Sequence, residues 1–362
     1  VASAVFNEAT NTWTVTTTDG ESQTADIIVT ATGQLNQPAW PNIPGLDTFA
    51  GTTFHSARWD HNYDLSGKNV GVIGTGASAI QFVPEIVPKV RALSLFQRSA
   101  AWVLPKPDRP FYKWEQALFQ KVPAWDRIYR SLIYWKNESR ALAFTRFNSL
   151  LELFAWQAKR FAKHQVRDPE KFRHLIPDYK IGCKRILISN DWYSAVDQSH
   201  VELVTTGIER VVEEGLITTD GALHRLDTII LGTGFAASDF LSPMEITGRN
   251  GASLNQAWAT GSEAYKGITY MLESQVRYVL CCINILSATP GTAMDVKPDR
   301  LRTFSEGVQT KLKDSVWESG CHSWYLDSDG KNTVNWPGFT FTYRKATREV
   351  NPDDYEFLQP SV

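Results

Sequence analysis

Asn69-Val70-Gly71-Val72-Ile73-Gly74-Thr75-Gly76-Ala77-Ser78-Ala79 is the stretch that decides the fold. A short apolar strand runs straight into GxGxxA, and a helical segment follows. Glycines there let backbone approach a pyrophosphate, and the helix N-terminus offers it unpaired amides and a positive dipole end. Pro84 and Pro88 predict that the first helical segment is short. A second strand at Ala92–Gln97 completes a βαβ unit. The end of that strand, about 20 residues past the glycines, is where a ribose-binding acid would indicate NAD. Gln97-Arg98-Ser99 stand there instead. Arg98 can pair with a 2′-phosphate and Ser99 can donate to it, so NADPH is expected over NADH. Lys184 can join them from further along the chain.

Outward from this unit, a polar, Pro-rich crossing runs from Gln34 to Pro44. Thr17-Thr18-Asp19-Gly20 recurs as Thr218-Thr219-Asp220-Gly221, and in the same register Asp26-Ile27-Ile28-Val29-Thr30-Ala31-Thr32-Gly33 aligns with Asp227-Thr228-Ile229-Ile230-Leu231-Gly232-Thr233-Gly234. Each copy reads as hairpin, acidic residue, buried strand and Thr-Gly stop, a strand device used twice. Gly232-Thr233-Gly234-Phe235-Ala236-Ala237 also fits GxGxxA, but Ser238-Asp239-Phe240-Leu241-Ser242-Pro243 opens no convincing helix, so this copy is expected to hold no phosphate. Trp114 to His174 reads as a helical, aromatic insertion, with Phe154, Trp156 and Phe161 at helical spacings. Further helices are expected at Met271–Cys281 and Asp299–Ser319, the latter stopping at Gly320.

Charge balance limits the partners. Lys plus Arg number 37 against 39 Asp plus Glu, so no overall field draws nucleic acid or an anionic membrane, and anion binding must be local. The 13 Trp hint at pockets for flat or apolar ligands. Cys183, Cys281, Cys282 and Cys321 show no CxxC, zinc spacing or disulfide framework, so no metal is expected, a disulfide reductase is disfavoured, and a reducing cytoplasm fits best. Val279–Leu286, the longest apolar run, is about half a bilayer helix.

Phe49-Ala50-Gly51-Thr52-Thr53-Phe54-His55-Ser56-Ala57-Arg58-Trp59-Asp60 resembles the FxGxxxHxxxW(P/D) fingerprint of Baeyer-Villiger monooxygenases, flavoproteins related to the flavin-containing monooxygenases. The fixed positions are Phe49, Gly51, His55, Trp59 and Asp60, just before the nucleotide turn as in the family. The resemblance extends through Ala31-Thr32-Gly33, Gly232-Thr233-Gly234, Gln97-Arg98-Ser99, Gly182-Cys183-Lys184-Arg185 and Ser323-Trp324-Tyr325.

This resemblance implies an α/β fold with two dinucleotide-binding domains, a Rossmann-like NADPH domain inserted into an incomplete FAD domain. The implied partition is 1–47, a remnant of the FAD domain; 48–215, the NADPH domain with a helical insertion over about 105–182; and 216–362, the C-terminal part of the FAD domain. By the same resemblance NADPH reduces FAD, O2 adds to the flavin, and a peroxyflavin converts a ketone to an ester or lactone. Arg185 matches the active-site arginine, where a fixed cation would stabilise developing negative charge. Arg98 and Lys184 match 2′-phosphate contacts, Trp324 an aromatic that contacts the nicotinamide nucleotide, and His55 a residue that couples the domains. The first GxGxxG and the N-terminal acid of the family would lie upstream of Val1. Gly267-Ile268-Thr269 also runs straight into Tyr270-Met271-Leu272, where relatives carry a strand and a Gly/Pro loop. Two alternatives follow: oxygenation of nitrogen or sulfur by the same flavin chemistry, and a non-catalytic nucleotide-binding remnant.

Overall fold

Five short apolar strands form the sheet that carries the glycine turn: β1 (Thr52–His55), β2 (Asn69–Ile73), β3 (Ala92–Phe96), β4 (Val201–Val204) and β5 (Thr228–Leu231). In this computed structural model, which describes residues 1–360 except 34, 238–240, 242, 260–270, 322 and 328, all of them run parallel in the order β1-β5-β2-β3-β4. Val70, Val72, Leu95 and Ile229 to Leu231 are fully buried, as a parallel sheet covered on both faces requires. Helix α1 (Ala79–Ile86) lays Ala79, Ile80, Val83 and Ile86 on it. The helix passes through Pro84, which supplies no amide to the Ile80 carbonyl, and ends at Ile86, two residues before Pro88. The helix Leu151–Gln165 adds Ala162, and Phe161 meets Tyr193 edge-on at 5.8 Å.

By contacts, Pro38–Arg130 and Ser149–Phe235 form one unit; Val1–Gln37, Ser131–Asn148 and Ala236–Val362 form the other. Residues 38–47 and 216–235 thus group with the parallel sheet, and 131–148 of the helical insertion with the second unit. This partition differs from boundaries at 47 and 215, because β5 is hydrogen-bonded between β1 and β2. In the second unit Glu245–Thr247, Ser3–Asn7, Thr12–Thr16 and Ser22–Ala25 form a mixed sheet over Ala4, Met244 and Ile246. The C-terminal helices are Leu272–Ala288, longer than expected, and Pro298–Leu312. The latter breaks before Val316–Glu318, a separate 3-10 turn.

The repeat is real at its turns and fails at its strands. Both DG turns place the Thr hydroxyl on the Asp, Thr17 on Asp19 and Thr218 on Asp220, with Gly20 and Gly221 at φ 90° and 82°. The second copy then forms β5, whereas Asp26 to Gly33 forms no strand and leaves Val29 57% exposed. Asp227 explains the difference. Its Oδ2 accepts from the Asn69 amide at 2.7 Å and its amide donates to the Asn69 carbonyl at 2.8 Å, docking β5 beside β2. Asp26 is exposed.

Within the sheet unit, one buried carboxylate ties the chain after the helix Leu151–Gln165 to the segment before β4. Asp197, with its side chain 4% exposed, accepts from Arg167 Nε at 2.9 Å and from the Arg167 and Asp168 amides at 3.1 and 3.2 Å. Burial pushes its carboxyl up, but the Arg167 guanidinium and the two amides outweigh burial and hold it below its ordinary value. A lowered folded pKa gives stability that is complete above the unfolded pKa and is lost as pH falls through the folded one. Asp197→Asn is therefore expected to cost about 1–2 kcal/mol at neutral pH. Urea titrations should show the gap between the two proteins closing below about pH 4.

Candidate functional site

The carboxyl edge of the parallel sheet brings the predicted residues together. His55, Gly232, Gly74 and Gln97-Arg98-Ser99 stand at the ends of β1, β5, β2 and β3, the edge where ligands bind in open α/β sheets. The Gly74 amide donates to the Phe96 carbonyl at 3.0 Å and the Gly232 amide to the Ile73 carbonyl at 2.8 Å. Gly74 has φ 108°, and a Cβ there would lie 2.5 Å from the Gly232 carbonyl oxygen. The second Thr-Gly copy is thus the surface against which the nucleotide turn packs. Residues 238–240 and 242, on which the expectation of no helix rests, lie outside the described residues.

A Cβ on Gly76 would meet nothing within 4 Å, so the turn is open on the side where a phosphate would approach. The first intrahelical bond runs from the Ile80 amide to the Gly76 carbonyl at 3.1 Å. Ser78 makes no side-chain cap bond to the helix it heads. Ala77, Ser78 and Ala79 therefore present the orphan amides of a helix start. Buried Thr75 fixes the turn to the next strand, its Oγ1 donating to the Ser99 carbonyl at 3.2 Å.

Lys184 Nζ donates to Ser99 Oγ at 3.4 Å and lies 4.6 Å from the centre of the Tyr179 ring. Partial burial, and then the charge of Arg98, push its pKa down, with Asp178 acting the other way. Arg98 is exposed and forms no ion pair among the described residues. Two neighbouring cations, neither in an ion pair among the described residues, are an arrangement that can bind an anion. The sequence reading did not include Tyr179, whose spacing from Arg98 carries no signal. Arg185, next in the chain, is exposed and has no ion pair among the described residues. Its segment leaves a turn at Gly182, φ 94°, and enters Leu187–Ile188, which pairs with Val103–Leu104.

Most of the fingerprint serves architecture. A Cβ on Gly51 would lie 2.6 Å from the Phe49 ring and 2.5 Å from the Asp227 carbonyl oxygen. Trp59 packs on Phe54 and on Phe82 of α1, at 5.1 and 5.3 Å, and Asp60 Oδ1 accepts from the Asn62 amide at 3.0 Å. His55 alone reaches the carboxyl edge. It is fully buried between Trp40 and Phe235, each 6.0 Å away. Its Nδ1 accepts from the Ala57 amide at 3.0 Å, which sets the Nε2–H tautomer. Burial lowers its pKa, with the Gly234 carbonyl acting against burial, so the ring is neutral at pH 7.

Trp324 belongs to the second unit, where it tilts against Tyr325 at 4.7 Å. Cys281 and Cys282 are free while Cys183 and Cys321 are not, which corrects the expectation of four reduced thiols; spacing in sequence does not report the redox state of a thiol. Among the described residues no cluster could hold a metal ion, and no helix is long and apolar enough to cross a membrane. Residues 267–270, where the resemblance implied a missing strand and loop, lie outside the described residues.

A family model described as flavin-binding monooxygenase-like matches residues 4–247. A Baeyer-Villiger monooxygenase of Streptomyces coelicolor is 41% identical over 374 residues, spanning 96% of this chain and 72% of that protein. One from Pseudomonas aeruginosa is 39% identical over 380 residues, spanning 98% and 72%. Among solved structures, an oxidized steroid monooxygenase bound to NADP is similar at 28% identity and a TM-score of 0.83, over 99% of this chain and 80% of that one.

Proposed function

The chain belongs to the flavin-binding monooxygenase-like family, and on that premise we propose that it carries out NADPH- and FAD-dependent Baeyer-Villiger oxidation. A ketone, O2, NADPH and a proton become an ester or lactone, NADP+ and water. The observation that carries the nucleotide half of this reading is the open GxGxxA turn beside Arg98 and Lys184, neither of which forms an ion pair among the described residues. The turn would take the pyrophosphate on the amides of Ala77 to Ala79, and Arg98, Lys184 and Ser99 would take the 2′-phosphate. FAD, when bound, supplies the activation of O2. The described residues hold no second strand, glycine turn and helix for its pyrophosphate.

The remaining roles belong to this chain's own groups. His55, neutral and held by Ala57, joins β1 to the linker that follows β5 through Phe235 and acts as a coupling residue. Arg185 would be the fixed cation at the reacting atoms. Arg98→Ala is expected to weaken NADP+ about 10-fold or more and to leave NAD+ nearly unchanged, since charge-assisted contacts of this kind contribute about 1.5–3 kcal/mol. Calorimetric titration with both nucleotides checks this; equal losses would reject the 2′-phosphate assignment. Products from a cyclic ketone and from a thioether, followed by mass, test the chemistry. Added oxygen on the thioether alone would replace ketone oxidation with the heteroatom reading.

A further inference from the structure

Lys184 is held in an unusual way for a lysine that faces another cation. An acid in direct contact would fix it firmly but would also neutralise it and repel an incoming dianion. Asp178 acts on it without forming an ion pair, and the support in contact is a ring face. Tyr179 lies under the ammonium at 4.6 Å, and a ring attracts a cation without cancelling its charge. The ring is itself locked at both ends. The Tyr179 hydroxyl donates to the Ala100 carbonyl at 3.0 Å, and the buried Trp102 indole donates to the Tyr179 carbonyl at 2.9 Å. Ala100 and Trp102 belong to the segment that carries Arg98 and Ser99. The platform and the anion site are therefore built on one short stretch of chain.

We propose that Tyr179 is a positioning residue that sets the preference for a 2′-phosphorylated nucleotide, holding the Lys184 ammonium on its ring face beside Ser99 and Arg98. This rests on the reading of Arg98 and Lys184 as the 2′-phosphate site. Burial raises the Tyr179 hydroxyl to about 12, so it stays protonated and keeps its bond to Ala100 across the working pH range.

Calorimetric titration of the full chain with NADP+ and with NAD+ tests it. Tyr179→Phe keeps the ring and should hold the ratio of the two affinities within about 2-fold. Tyr179→Leu removes the ring and should weaken NADP+ by about 5- to 10-fold while moving NAD+ by less than about 2-fold. In a Lys184→Met background, Tyr179→Leu should change the ratio no further. Equal losses for both nucleotides, or an unchanged ratio in Tyr179→Leu, overturn the proposal. Should Tyr179→Leu fail to fold, the wild-type protein still decides: the Hε protons of Lys184, assigned by comparison with Lys184→Met, should be shifted upfield by the ring, and ordinary shifts overturn it. Wild-type protein that binds NADP+ no more tightly than NAD+ would instead sink the underlying site reading.

Discussion

Arg185→Ala is expected to reduce ketone oxygenation by about 100-fold or more, the scale of losing one preorganised charge from a reacting site. Reduction of the flavin by NADPH should change by less than about 3-fold in the same protein. The guanidinium is exposed and without an ion pair among the described residues, so no acid partner there neutralises its charge. Its segment is fixed by the Gly182 turn on one side and by the pairing of Leu187–Ile188 with Val103–Leu104 on the other. Anaerobic stopped-flow separates hydride transfer from product formation measured in air. Normal ester yield from the variant would remove Arg185 from the reaction, and equal loss of both steps would make it a nucleotide-binding group.

Gly74→Ala is expected to cost about 2–5 kcal/mol of stability and to abolish measurable NADP+ binding. The backbone at φ 108° strains any side chain, and the new Cβ would stand 2.5 Å from the Gly232 carbonyl oxygen, which β5 cannot withdraw without leaving β2. Gly76→Ala is the contrasting variant. It has open space around its Cβ, so it should unfold in urea close to wild type and yet bind NADP+ weakly. Two glycines of one motif would thereby be assigned opposite duties, one to the fold and one to the ligand.

Local patterns were legible in the sequence, and pairings across the chain were not. Residues 69–79 could be read because strand, glycine turn and helix are adjacent and each imposes its own residue types. The segments at Asp26 and Asp227 look alike along the chain, yet only Asp227 meets Asn69, 158 residues away. Arg98 and Ser99 were marked by their place at a strand end. Tyr179 was invisible because the ring that supports Lys184 is chosen by the path of the loop. The fingerprint around His55 reads as a unit, but only geometry separates its packing residues from the single histidine at the sheet edge.

The order of strands also dictates an order of assembly. Among the described residues β1 pairs only with β5, yet 172 residues separate His55 from Thr228. On a ribosome, β2 and β3 can pair early, while β1 waits with an open edge until residue 231 has emerged. Closure of so long a loop is slow, and the waiting strands Thr52–His55 and Asn69–Ile73 offer unpaired edges in the meantime. Synthesis that stalls between residues 100 and 225 should therefore leave a species that chaperones bind and that aggregates, although each of its βαβ elements is sound.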